Sequence, residues 1–465
     1  MNKKPQKSLY VTITKMVPAV LTALISTGLG FIALYTSPVP MIQDFGKMLT
    51  LGMIVSFIVG LFLLIPILFI RDHHFKSEGN KKKQTRLKAK KGDGFFNWFT
   101  KHLITLRWLI VIIAFLSAGF GIWADLKAGV ETDVEKFMPQ DTQELKDIHR
   151  LRDILGSTDS ISVVYEADDV SSTEVMDWAD EITGRVDREF PETIVESRSI
   201  TTALRQMNDG ELPEPHGIEE KLAEMPEEQK KLMMNEERTK GVITISIKHL
   251  EAEELKEFIN DLMDFLEAKE IEGIETTVTG KAVLDVEMVT ALTTGRYKMT
   301  LLGMGLVFLG LLIAYRHPVK AFIPLLPIIL IVGWSGAAMS LLDIKYTPLT
   351  ATLGALIIGI GTEFTILIME RFYEERKKGR NSREAIMITN RKTGKAILAS
   401  AFTTIGGFTA LLISDFVILS NFGLMTLINI FLALFSTIVV MPAILIILDR
   451  FVKIRHIREN ELAVN

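Results

Sequence analysis

Eight stretches of mostly apolar residues constrain this chain more than any other feature. A bilayer core about 30 Å thick needs roughly twenty such residues in a helix. The stretches are Met16–Thr36, Lys47–Ile70, Trp108–Trp123, Met299–Tyr315, Ala321–Leu342, Pro348–Met369, Ala396–Ile413 and Gly423–Leu448. Trp108–Trp123 and Met299–Tyr315 are short, and helical residues beyond them extend both. One such run is equally a buried helix of a soluble protein, but eight in 465 residues weigh heavily against that reading. Hydrophobic residues make up 48% of the chain and charged residues 23%, values that coexist only when the two kinds are segregated along the sequence.

They are segregated. Asp125 to Gly295 carries a charge of about −24, and the remainder about +20, so the formal −4 conceals a split chain. Cysteine is absent, which excludes disulfides and thiolate metal sites. Basic residues also orient the spans, because positive loops stay cytoplasmic. Lys3, Lys4, Lys7 and Lys15 precede the first span, and Lys81, Lys82, Lys83, Arg86, Lys88, Lys90 and Lys91 separate the second from the third. Arg316 and Lys320, Arg371 to Lys395, and Arg450 to Arg458 mark later loops, whereas those holding Asp44, Asp343 and Asp415 are poor in Lys and Arg. One topology satisfies every loop: both termini cytoplasmic and the acidic segment outside, in a multi-pass protein of the cell membrane. The lysine run at 81–91 is a topology determinant and linker before it is a site for anionic lipid or RNA, so no nucleic-acid partner is expected.

The sequence repeats itself. Shifted by 377 residues, Ser26, Thr27, Gly30, Phe31, Ala33, Leu34 and Ser37 fall on Thr403, Thr404, Gly407, Phe408, Ala410, Leu411 and Ser414. Phe45-Gly46 falls on Phe422-Gly423, Met48 on Met425, Ile67-Leu68 on Ile444-Leu445 and Asp72 on Asp449, without a gap. Two copies of one helical hairpin are present, both entering from the same side, which is the parallel repeat of many transporters. A cleaved signal peptide would not be copied near the C-terminus. The second copy closes a unit of one span, an inserted domain and five spans. The first copy stands without such a unit, and the chain reads as roughly the last three-fifths of a twelve-span protein.

Inside the acidic segment, Ser160–Tyr165, Thr193–Glu196, Val242–Ile247 and Glu275–Thr279 alternate as strands. Ser172–Phe190 and Glu251–Glu267 have helical spacing, and a charged helical insertion covers Pro213 to Glu237. That order, β-α-β twice, is a split ferredoxin-like sandwich. Its acidic excess is most simply a solvated surface. The fold class expected is therefore a polytopic α-helical membrane protein of about eight transmembrane helices with an inserted α+β ferredoxin-like extracytoplasmic domain. Its parts are a hairpin of an incomplete first repeat at 1–70, a basic linker at 71–107 and a span at 108–124. The inserted domain follows at 125–295, then a five-helix bundle at 296–449 and a tail at 450–465. No phosphate loop, His cluster of metal spacing, or nucleophile with a base is found, so no enzyme, cofactor or metal is expected.

One charged residue stands within a span. Glu363 lies in Gly359-Ile360-Gly361-Thr362-Glu363-Phe364, after several apolar turns. A carboxylate near the bilayer middle costs about 2.5–3.5 kcal/mol on the insertion scale and is tolerated where it faces a polar interior. Ala355, Gly359 and Glu363 recur every four residues, so small side chains clear one face for another helix. Ser400, Thr403, Thr404 and Gly407 form one stripe on the seventh span, a face whose hydroxyls suit solvation of the carboxylate and proton transfer. The plainer alternative is a Glu363 that snorkels toward Glu370 and Arg371, with hydroxyls that only pack. For Ser26 and Thr27 in the first span, packing is the expected role.

These features together resemble the resistance-nodulation-division superfamily, and most closely its mycobacterial-membrane-protein-large, or hydrophobe exporter, branch. The resemblance rests on the hairpin repeat, the inserted domain after the first span of a unit, and Gly359–Arg376 followed by Thr393–Phe408. It implies proton-driven export of lipids or other hydrophobic or amphiphilic compounds. In that family an acidic residue followed by an aromatic, on the fourth and tenth spans, couples proton entry to export. Glu363-Phe364 matches the tenth-span position, with Gly361 beside it, and the fourth-span position has no counterpart here. The resemblance thus implies protons, membrane lipid and an apolar substrate as partners, with a separate N-terminal half or a homo-oligomer completing the assembly. A sterol-sensing protein, a protein-export accessory like SecDF, and an inactive remnant are the alternatives.

Overall fold

The computed structural model describes residues 5–64, 66–67, 70, 91–131, 133–156, 159–269 and 271–452. Lys81 to Lys90, and with them most of the basic run, lie outside the described residues. The chain divides into two compact units, Met1–Val130 with Ala291–Asn465, and Glu131–Thr290.

Among the described residues, the first unit is built of helices, with one isolated bridge between Val130 and Tyr346. Its elements are α1 (Pro5–Ile32), α2 (Pro40–Val59), α3 (Lys91–Thr105) and α4 (Arg107–Asp125) before the inserted unit. Helices of that unit take the numbers α5 to α10, and the first unit resumes at Ala291, within α11 (Lys281–Tyr315). It continues through α12 (Pro318–Phe322), α13 (Leu325–Leu341), α14 (Leu353–Lys377), α15 (Ser382–Thr409), α16 (Val417–Phe435) and α17 (Met441–Leu448). Among the described residues, seven segments are long and apolar enough to cross a membrane, and a shorter apolar stretch, Val20–Thr36, runs from α1 into the 3₁₀ turn after it. Apolar side chains such as Met48, Leu51, Leu116 and Phe120 point outward, as a lipid-facing surface requires.

Small residues bring the helices together where apolar burial against lipid supplies little drive. Ala114, Ala118 and Gly121 line one face of α4 and are buried. A β-carbon added to Gly121 would lie 2.0 Å from the carbonyl oxygen of Gly333 in α13, so the two backbones touch. Around this seam, Ile328, Ile331, Ile358, Ile366, Met369 and Phe372 form the buried centre.

The hairpin repeat is a structural repeat. Helix α1 ends at Ile32 and is followed by a 3₁₀ turn at Ala33–Thr36, then α2 from Pro40. In the 377-residue register, α15 ends at Thr409, the 3₁₀ turn is Ala410–Ile413, and α16 starts at Val417. Both second helices then widen into a π turn, at Gly60–Leu64 and Ser436–Val440, one residue out of register. Phe45 and its repeat mate Phe422 meet edge to face, with centroids 5.8 Å apart and planes at 89°.

One segment expected as linker is helical. Residues 91–105 form α3, whose later turns carry a core face: Leu103 and Ile104 are buried, as is Thr100, whose hydroxyl accepts from Asn390 Nδ2 at 3.4 Å.

The second unit is an α+β sandwich. Strands β1 (Asp159–Glu166), β2 (Ile194–Arg198), β3 (Lys240–Ile247) and β4 (Glu275–Thr279) pair antiparallel in the order β2-β3-β1-β4, the split ferredoxin-like arrangement. Alternation sends Ile161, Val163 and Tyr165 of β1 and Ile243, Ile245 and Ile247 of β3 inward. Helices α6 (Thr173–Glu189) and α10 (Ala252–Glu267) cover that face through Met176, Ile182 and Leu262. The remaining helices are α5 (Gln143–Leu155), α7 (Ile200–Met207), α8 (Pro215–Glu224) and α9 (Glu227–Met233).

Candidate functional site

Helix α14 carries the residues singled out from the sequence. Ala355 and Phe364 are buried, Gly361 packs toward Ile328 of α13, and Glu363 is exposed on the bundle surface. Thr362 and Thr365 return their hydroxyls to their own helix, at 2.7 Å to Ile358 O and 2.8 Å to Gly361 O. Glu363 makes no hydrogen bond or ion pair with the described residues.

Gly359 does admit another helix, and that helix is α1. Its absent side chain leaves room for Thr27 and Phe31, and Thr27 Oγ1 donates to the carbonyl oxygen of Gly359 at 3.1 Å. Gly30 in turn lies against Ile358 and the carbonyl of Ala355. Ser26 is buried and bonds its own helix at Thr22 O. The other stripe sits differently. Ser400, Thr403 and Gly407 on α15 are exposed, Thr404 is half-buried, and nothing lies within 4 Å of where a β-carbon on Gly407 would be. Thr403 and Thr404 donate to Ala399 O and Ser400 O of their own helix. No hydrogen bond joins that stripe to Glu363 among the described residues. The repeat explains why: the α14 face that receives hydroxyls is taken by the first copy of the hairpin.

Two polar clusters were not singled out from the sequence. At the end of α4, Asp125 is buried and receives three donors. Arg296 Nη1 reaches its Oδ1 at 3.2 Å, Tyr346 Oη donates to Oδ1 at 2.7 Å, and the Tyr297 hydroxyl donates to Oδ2. Arg296 also donates to Asp125 O at 2.9 Å and stacks 3.6 Å from the Tyr346 ring centroid. Gly336 makes room for the carboxylate. At the opposite end of the bundle, Asp449 accepts from Arg376 and Ser382, while buried Glu375 pairs with Arg371, Lys378 and Arg380. Signals for both existed: Arg296 interrupts an apolar helix, and Asp449 sits in the repeat register with Asp72.

A sequence model of the MMPL family matches residues 136–462. The chain belongs to the MMPL family. This MMPL chain is 28% identical over 364 residues to a membrane protein of Methanocaldococcus jannaschii, covering 76% of the chain and 93% of that relative. It is 23% identical to the apo-petrobactin exporter of Bacillus anthracis over 42% of the chain and 28% of the exporter. The sulfolipid-1 exporter of Mycobacterium tuberculosis is 24% identical over 31% of the chain and 14% of its own length. Among solved structures, the hedgehog release protein Disp from the water bear Hypsibius dujardini superposes with a TM-score of 0.66 at 12% identity, over 94% of this chain and 59% of that one. SecDF, a translocon-associated membrane protein of Thermus thermophilus, gives 0.52 at 15%, over 96% and 50%. These likenesses establish the fold. The MMPL chain spans about three-fifths of the first of these structures and half of the second.

Proposed function

We propose that this chain is the gradient-sensing part of an exporter of lipids or other hydrophobic or amphiphilic compounds, driven by protons through Glu363. It sits in the cell membrane with both termini cytoplasmic and residues 125–295 outside, as the distribution of lysine and arginine indicates. The observation that carries the reading is an uncompensated carboxylate part-way along α14, in a chain whose family includes named exporters. A charged group without a partner is expensive in a membrane, and protonation removes that expense. Protonated Glu363 lets α14 settle among apolar neighbours, and ionised Glu363 favours an arrangement with water or polar groups beside it. The two arrangements give α14 two positions. Motion of α14 is felt first by α1, through the Thr27–Gly359 contact, and by α15.

Glu363→Gln keeps size and polarity and removes the titration. Proteoliposomes holding the variant, together with any companion subunit that transport needs, are expected to lose export driven by a pH gradient while membrane insertion persists. Undiminished gradient-driven flux in that variant overturns the reading.

A further inference from the structure

The end of the bundle that holds Asp449 sorts its cations into two groups. Arg371, Arg376, Lys378 and Arg380 are paired, and between them they engage Glu374, Glu375 and Asp449. Lys101, Arg107, Arg383 and Arg450 make no ion pair with the described residues. These four come from three separate parts of the chain, yet they line one groove of about 840 Å³. Lys101 and Arg107 flank the junction of α3 and α4, Arg383 stands in the first turn of α15, and Arg450 follows α17. Glu384 is the one carboxylate in the lining, so four cations against one anion leave the groove a formal +3. The first residues of α15, a helix of 28 residues, belong to the same lining and add the positive end of its dipole.

Such an excess calls for an anion, and the rest of the lining fixes its kind. Ile104, Met387, Ile446 and Ile447 make part of the groove apolar. Trp108, also in the lining, begins a stripe along the outside of α4. Trp108, Ile112 and Leu116 lie four residues apart on one face and are 53%, 53% and 70% exposed. Unpaired cations, a tryptophan beside them and an apolar face leading away make the profile of a bilayer interface. A small soluble anion uses only the first of these features. A phospholipid uses all three.

We propose that this groove binds the headgroup of an anionic phospholipid, whose acyl chains lie along the Trp108–Ile112–Leu116 face of α4. Arg383 and Arg450 present forked N–H donors that match phosphate oxygens, and Lys101 and Arg107 add charge from the opposite wall. The distribution of lysine and arginine assigns this end of the bundle to the cytoplasmic leaflet, so the lipid belongs to that leaflet. Orientation names only the leaflet, and the site is independent of proton coupling at Glu363.

Native mass spectrometry of the full chain, given equal amounts of phosphatidylglycerol and phosphatidylcholine in detergent, reads the preference. One phosphatidylglycerol is expected to be retained over phosphatidylcholine. Arg383→Gln with Arg450→Gln should weaken its binding about 25-fold, at roughly fivefold for each charge. Arg383→Lys with Arg450→Lys should keep most of it. Lys127→Gln with Lys345→Gln removes as much charge beyond the far end of α4 and should change nothing. Hydrogen exchange in nanodiscs locates the site, because the first amides of a helix have no partner within it. Amides of Ser382–Glu384 should exchange more slowly in phosphatidylglycerol than in phosphatidylcholine, and those of Val417–Leu419 at the start of α16 should not differ. A preference that survives Arg383→Gln with Arg450→Gln, or that falls equally in the Lys127 and Lys345 variant, overturns the proposal. Complete displacement of the lipid by millimolar inorganic phosphate would make the occupant a soluble anion and overturn it as well.

Discussion

Helix α1 and helix α15 end at equivalent residues, and each passes through a 3₁₀ turn into a second helix that starts at an equivalent residue. They differ in what touches them. The Thr27 hydroxyl lies between its own helix at Ala23 O and Gly359 O of α14, 3.1 Å from each, whereas that of Thr404 turns back to its own helix at Ser400. Gly30 is wedged against Ile358, and Gly407 meets nothing. Local sequence therefore decides the shape of the hairpin, and the neighbouring helix alone decides which face is core. A glycine in such a stripe is a packing requirement in one copy and only a permission in the other.

The first copy is seated on a firm body, so the largest effect comes from breaking that body. Asp125 and Arg296 are each 6% exposed, and removing one leaves the other buried without its ion. Asp125→Ala should destabilise the bundle by about 3–5 kcal/mol, the usual result of orphaning a buried charge. Arg296→Met added to it should restore part of the loss, because the orphan is then gone. Thermal unfolding of the detergent-solubilised chain measures both. If the double variant is as unstable as the single one, the cluster is held by Tyr346 and Tyr297 more than by the ion pair.

Much of this was legible beforehand, for a reason visible in particular residues. Spans declare themselves by length and hydropathy, and the strands of the inserted unit by alternation, as in Ser160–Tyr165. The repeat register found in sequence reappears to the residue at the hairpin turn and within one residue at the π turn. What could not be read was partnership. Gly359 clears a face, but the sequence does not say whether α1 or α15 fills it, since both carry Thr and Gly at the same spacing. Asp125 and Arg296, separated by 171 residues, look in sequence like the two rims of a soluble domain. Only the three-dimensional approach of α4, α11 and the Tyr346 segment turns them into one buried cluster.

A sharper test of the two copies is the same substitution made twice. Gly30→Leu must displace Ile358, whose nearest atom would lie 2.9 Å from the first added carbon, and overpacking of this kind costs about 1–3 kcal/mol. Gly407→Leu should leave the isolated chain's stability unchanged. Unfolding of the two variants in the same detergent checks the difference, and maleimide labelling of Ser26→Cys should rise only in the Gly30→Leu background. Equal losses in both would mean that the second stripe is already covered within this chain.

The smallest effect belongs to the inserted unit, and it tests whether that unit stands apart from the asymmetry. Asp180 on α6 accepts from Arg205 on α7 at 2.8 and 2.6 Å, and those hydrogen bonds hold its carboxyl below the ordinary aspartate range. A carboxyl with a depressed folded value stabilises the fold above its unfolded value and loses that contribution as the pH falls through the folded one. The pair is partly open to solvent, so its worth is about 0.2–1 kcal/mol. Arg205→Ala should therefore speed hydrogen exchange of the β1 and β3 amides at neutral pH, with the gap from the parent closing as the pH falls below about 4. Labelling of Ser26→Cys should stay as in the parent throughout. A change there would show that the seat of α1 responds to the stability of the inserted unit, and the two hairpin copies would then differ in coupling as well as in packing.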